Sequence, residues 1–141
     1  MYPDMSLKKL VFYVDDDYDD ILVIEEVFQS YPHIELISFT DSYKFLKHII
    51  DSKPFRRLPS LILIDINMPV LNGRELLTML RSYEQLKEAR MVLYTTSNLS
   101  SDNHFAKSLH AGFITKPVSY RQLDQTIHRL LDECNLLDNE A

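Results

Sequence analysis

Four apolar runs in this chain each end in a residue able to handle phosphate or a divalent cation. Leu10 to Val14 runs into Asp15-Asp16-Asp17, Leu61 to Ile64 into Asp65, Met91 to Tyr94 into Thr95, and Phe113-Ile114 into Thr115-Lys116-Pro117. Asp15, Asp16 and Asp65 brought together would repel one another at neutral pH, so a site built from them calls for a cation. An all-oxygen ligand set suits magnesium, with manganese as a substitute, rather than zinc. A hydroxyl at Thr95 and an ammonium at Lys116 would complete a site for an anion such as a phosphoryl group. For Asp17, Asp19 and Asp20 the simpler role is local, because aspartate at a helix start caps free N–H groups and complements the macrodipole.

If the runs are parallel strands, all these groups emerge on one rim of one sheet, where open α/β sheets place their sites. The runs are continuous rather than alternating, as expected of strands covered on both faces. Strands are predicted at Leu10 to Val14, Ile34 to Phe39, Leu61 to Ile64, Met91 to Thr95 and Phe113 to Thr115. Between them lie helical patterns: Ile21, Ile24, Val27 and Phe28 up to about Ser30; Ser42 to Ile50, with Phe45, Leu46, Ile49 and Ile50 apolar; and Leu76, Leu77 and Leu80 after a loop from Asn67 to Gly73. A weakly amphipathic helix near Asn103 to His110 follows, with Ser97 to Asp102 supplying loop and cap residues. Last comes a helix capped by Ser119 that lines up Leu123, Ile127, Leu130 and Cys134. The stretch from Lys53 to Pro59, with two prolines, reads as a surface connection. Five β–α repeats with short connections imply right-handed crossovers and a flavodoxin-like, doubly wound five-stranded parallel sheet of order 2-1-3-4-5.

Composition bounds the function. The 141 residues, 45% hydrophobic, suit one domain with a full core. The single cysteine, Cys134, excludes an internal disulfide framework and fits the cytoplasm. No apolar stretch approaches a membrane span, and a net charge of −6 disfavours direct nucleic-acid binding.

Taken together, the motifs resemble the receiver domain of two-component response regulators, the family of the bacterial chemotaxis response regulator. Val14-Asp15-Asp16-Asp17 is similar to the family's first-strand acidic pair, Leu63-Ile64-Asp65-Ile66-Asn67-Met68-Pro69 with Gly73 to its phosphoacceptor motif, Leu93-Tyr94-Thr95 to its hydroxyl motif, and Thr115-Lys116-Pro117 to its lysine motif. The resemblance covers roughly Leu7 to Leu131. It implies that Asp65 takes a phosphoryl group from a phosphohistidine on a sensor histidine kinase or histidine phosphotransfer protein. It further implies that Asp16 and Asp65 bind magnesium by carboxylate, Asn67 by its backbone carbonyl and Asp15 through water, while Thr95 and Lys116 contact the phosphoryl group. The Lys116-Pro117 bond would be the family's cis peptide. Output would pass to a downstream protein through the face of the fourth helix, fifth strand and fifth helix, or onward in a phosphorelay.

Two positions depart from the best-known members. Phe113 stands where many receivers carry a switch tyrosine, and Thr96 where a smaller residue is frequent. With only Asp132 to Ala141 beyond the expected core, the resemblance is to a stand-alone receiver with no output domain. Among rivals, a magnesium-dependent phosphatase would carry a second acid at position 67, where this chain has Asn67, and a flavin-binding module would need a phosphate loop where Asp15-Asp16-Asp17 stands. A receiver-like scaffold that binds partners without phosphorylation is the remaining alternative.

Overall fold

A computed structural model describes residues 8–52 and 57–137. Five strands, β1 (Lys9–Val14), β2 (Ile34–Phe39), β3 (Leu61–Ile64), β4 (Arg90–Thr95) and β5 (Gly112–Thr115), alternate with α1 (Tyr18–Phe28), α2 (Ser42–Asp51), α3 (Gly73–Arg81), α4 (Ser100–Ser108) and α5 (Tyr120–Glu133). All strand pairs are parallel, in the order β2-β1-β3-β4-β5. This is the expected topology. Leu7, positions 53–56 of the expected surface connection and the tail from 138 lie outside the described residues.

Successive strand residues point to opposite faces, which divides the core in two. Leu10, Phe12, Val14, Ile62, Ile64, Met91 and Leu93 pack under α2, α3 and α4, whereas Val11, Tyr13, Leu61, Leu63, Val92 and Tyr94 pack under α1 and α5. Burial on both faces explains why the runs are continuous in sequence.

Three local expectations are corrected. Ile50 lies outside the buried stripe of α2, which consists of Ser42, Phe45, Leu46 and Ile49. Helix α4 starts three residues before Asn103, and its N-cap is Leu99, with no side-chain hydrogen bond to the helix. Helix α1 ends at Phe28, short of Ser30. The caps expected from Asp17 and Ser119 are both made, to Asp19 and Asp20 N–H and to Gln122 N–H respectively.

Candidate functional site

The rim at the carboxyl ends of the strands is built by extending the sheet ladder one residue. The N–H of Asp15 donates to Phe39 O (3.0 Å), that of Asp65 to Val14 O (3.0 Å) and that of Lys116 to Thr95 O (2.7 Å). The backbone of each residue is thus fixed as its side chain leaves the sheet. Two of these side chains, Asp15 and Asp65, are buried although polar, as is that of Thr95 at the end of β4.

One carboxylate oxygen each from Asp15, Asp16 and Asp65 lies within 4.8 Å of the others. Asp16 is the exposed member. The donor set is all oxygen and its three carboxylates are faced by one ammonium, that of Lys116, so it fits a hard divalent cation. Asp15 is the most constrained. Its Oδ1 accepts from Asp17 N–H (2.9 Å), and its Oδ2 accepts from both the Tyr13 hydroxyl and Lys116 Nζ (2.7 Å). Burial and the adjacent Asp15 raise the pKa of Tyr13, so that it stays a neutral donor.

Lys116 Nζ also binds Asp20 Oδ2 at 2.7 Å, and its distance to Asp65 Oδ1 is 3.8 Å. It lies 5.6 Å from the centroid of the Tyr94 ring. Burial acts to deprotonate the ammonium, but hydrogen bonds to Asp15 and Asp20, with the charges of Asp15 and Asp65, hold it above the ordinary lysine value. Asp65 is also shifted upward, out of the ordinary carboxylate range. Burial and then Asp15 push it up to about 6, against the lowering effects of Lys116 and of a hydrogen bond from the Asn67 backbone.

Helix α3 begins immediately behind Asp65. Asn72 and Glu75 cap one another's backbone N–H groups, and Gly73 N–H donates to Ile66 O at 2.9 Å. A Cβ on Gly73 would stand 2.3 Å from Asp65 O and 2.7 Å from Ile66 Cα, so no side chain fits between this helix and the Asp65 backbone. On the far side, Thr95 Oγ1 accepts from Asn67 Nδ2 (3.5 Å) and from Ser97 N–H (3.3 Å).

Residues 11–128 match the response regulator receiver domain family. The chain belongs to that family. The Rcp1 response regulator of Synechocystis is 29% identical to this receiver over 119 residues, spanning 82% of this chain and 81% of that protein. The crystal structure of an Mn(2+)-bound form of Rcp1 matches with TM-score 0.79 at 25% identity, covering 94% of this chain and 97% of that one. The phosphorylated cyanobacterial phytochrome response regulator RcpA matches with TM-score 0.79 at 29% identity, over 89% and 92% of the two chains. A probable methanogenesis regulatory protein, FilR2 of Methanothrix harundinacea, is 32% identical over 76 residues, which are 53% of this chain and about half (49%) of that protein.

Of the residues read from the sequence, Asp15, Asp16, Asp65 and Lys116 converge on one corner of the receiver, and Thr95 and Asn67 meet beside it. Phe113 lies apart, half-buried against the core under α4 and lining a cavity of about 350 Å³ with Arg90, Val92 and Thr126. Thr96 is exposed. Sequence reasoning missed two participants. Tyr13 is hidden inside an apolar run, and Asp20 has the place of an ordinary first-turn acid.

Among the described residues no helix is long and apolar enough to cross a membrane.

Proposed function

We propose that this receiver takes a phosphoryl group on Asp65 from the phosphohistidine of a sensor histidine kinase or histidine phosphotransfer protein. The observation that carries the reading is a buried carboxylate, pushed up to about 6, set between two further aspartates and one ammonium. In the transfer, an Asp65 oxygen forms a bond to phosphorus as the P–N bond breaks. The imidazole leaves with the electron pair and takes up a proton from water. Two anionic groups must meet in this step, so positive charge has to be present before they do. Asp16 and Asp65 by carboxylate, Asn67 by its backbone carbonyl and Asp15 through water would hold magnesium, or manganese in its place, as the manganese form of Rcp1 supports. The bound cation supplies charge neutralisation and orientation.

Asp15 cannot readily turn toward a metal, because both of its oxygens already accept hydrogen bonds from protein donors. Thr95 would donate to a phosphoryl oxygen, and Lys116 would supply the second positive charge. The reading makes the protein a cytoplasmic signalling component that catalyses only its own phosphorylation and dephosphorylation. A downstream protein would recognise the α4–β5–α5 face, where Phe113 supplies the aromatic side chain of the switch, or the phosphoryl group would pass onward in a relay.

Incubation with acetyl phosphate tests the assignment. Mass spectrometry should find one added phosphoryl group in the presence of magnesium and none with excess chelator or in Asp65→Asn. Labelling of Asp65→Asn equal to wild type sinks it, and a chain that never labels yet binds its partner is the phosphorylation-independent scaffold.

A further inference from the structure

Asp20 occupies the third position of α1, where an acidic side chain commonly turns back to cap the helix start. Its carboxylate instead crosses to Lys116, 96 positions away in sequence. An ammonium has three donors. Two of them meet Asp15 Oδ2 and Asp20 Oδ2 at 2.7 Å each, while Asp65 Oδ1, at 3.8 Å, is beyond hydrogen-bond reach. Lys116 therefore rests as a near neighbour of the carboxylate whose phosphoryl group it is to meet, with its hydrogen bonds spent on Asp15 and Asp20 instead.

The two anchors differ in kind. Asp15 is fully buried and braced by Tyr13 and by the Asp17 N–H, so its oxygens are held in place. Asp20 has a side chain 37% exposed and sits on the first turn of a helix, at the mouth of the site. Water can replace an ammonium at Asp20 but not at Asp15, so the outer contact is the one able to open.

We propose that Asp20 is a positioning residue that latches Lys116 in a resting place and competes with the phosphoryl group on Asp65 for the ammonium. The inference rests on the phosphoacceptor reading above. Phosphorylation adds an anion beside Asp65, and Lys116 exchanges its bond to Asp20 for one to a phosphoryl oxygen. Asp20 then returns to water. The latch costs the phosphorylated state part of the Lys116 attraction, and the occupancy of that state is set partly by a residue that touches neither metal nor phosphorus.

Two measurements test this. The first is a double-mutant cycle on thermal or urea unfolding of the metal-free full chain with Asp20→Asn, Lys116→Met and both together. A coupling of roughly three- to tenfold in the unfolding equilibrium is expected, and zero coupling overturns the latch whatever the protein's signalling chemistry. The second is titration with beryllofluoride, a phosphoryl mimic, in saturating magnesium. Asp20→Asn should bind it roughly three- to tenfold more tightly than wild type. Asp19→Asn, which removes the same charge from an exposed neighbour in the same turn, should tighten binding less. Equal tightening by both variants would reduce Asp20 to a plain charge, and weaker binding by Asp20→Asn would make it an aid to Lys116; either result overturns the proposal. A wild type that ignores beryllofluoride while retaining the Asp20–Lys116 coupling refutes the phosphoacceptor reading and the competition that depends on it, and leaves a structural ion pair.

Discussion

The two corners of the rim are built in different ways. At the β3–α3 corner, a reciprocal cap between Asn72 and Glu75 starts a helix with four buried residues, and Gly73 lies directly on the Asp65 backbone. At the β4–α4 corner, Leu99 offers the helix no side-chain cap, and α4 buries only Asp102 and Ala106. Beside the small apolar contact of Phe105 and Ala106 with the core, polar bonds hold the start of α4: Asp102 accepts from Ser97 Oγ (2.7 Å) and pairs with Arg74 (3.5 Å), while Ser97 N–H is tied to Thr95 Oγ1 (3.3 Å). Thr95 is therefore both the proposed phosphoryl contact and an anchor of the loop that carries α4. A hydroxyl that changes its partner will be felt there first. On the proposed function, the chemistry falls where the backbone cannot give, and the readout where a few hydrogen bonds can be exchanged.

The largest expected effect breaks the rigid corner. Gly73→Ala puts a Cβ against the Asp65–Ile66 backbone, which no rotamer change relieves, and should cost about 3 kcal/mol or more along with the magnesium response. Gly112→Ala, where the tightest contact is the Val92 side chain at 3.2 Å, should cost no more than about 1 kcal/mol. Urea unfolding of the two variants gives both numbers, and equal losses would show that the Asp65 backbone is no less yielding than the start of β5.

The same contrast decided what could be read from sequence. Strands β1, β3 and β4 declared themselves because burial on two faces leaves uninterrupted apolar runs, and the rim residues followed because each stands one step past such a run. Helix α4 starts three residues before its sequence pattern because it lacks a strong amphipathic stripe, and Ser97 to Asp102 have the composition of a capping loop. In the structure Ser97 and Asp102 bond each other across the loop. Tyr13 and Asp20 were illegible for another reason. Their roles exist only through partners brought in by tertiary structure, Tyr13 beneath Asp15 and Asp20 against Lys116, and neither residue departs from what its own strand or helix would accept.

Next in size is the charge at the rigid corner. Without metal, the folded pKa of Asp65, about 6, lies above the ordinary carboxylate value of 3.8, so the native state binds more protons than the unfolded state between those values. That favourable contribution is fully present below the unfolded value and is lost as pH rises through about 6. Chelated wild type should thus lose on the order of 1 to 3 kcal/mol from this group over the window, and Asp65→Asn should flatten the slope and be the more stable at pH 7. Magnesium should reverse the order by raising the melting temperature of wild type, and Asp16→Ala should remove most of that rise. A magnesium shift that survives Asp16→Ala would put the cation elsewhere.

Breaking the polar hold on α4 should be milder and local. Asp102→Ala removes the acceptor for Ser97 Oγ and the partner of Arg74, at about 1 kcal/mol globally. Amide exchange in α4 should quicken well beyond that in α3. Beryllofluoride with magnesium should alter exchange in α4 and β5 of wild type, and much less in Thr95→Ala, which has no hydroxyl to draw from the loop. Uniform changes across α3 and α4 would mean that the corners respond as one body.

The smallest effect concerns what rigidity costs. In the loop between Asp65 and α3, Val70 sits at φ 69°, a region that disfavours β-branched side chains, and it is 82% exposed. No buried contact offsets the strain at so exposed a position; the turn that brings Gly73 against Asp65 demands it. Asparagine tolerates this conformation without the extra unfolded-state freedom of glycine. Val70→Asn should therefore stabilise the metal-free protein by about 0.5 to 1 kcal/mol, with the magnesium-induced shift in melting temperature unchanged. Urea midpoints with and without magnesium measure both. A gain in stability with a weakened magnesium response would show that the strain at Val70 helps hold the Asp65 corner in its binding geometry, and that the turn is coupled to the site rather than only leading away from it.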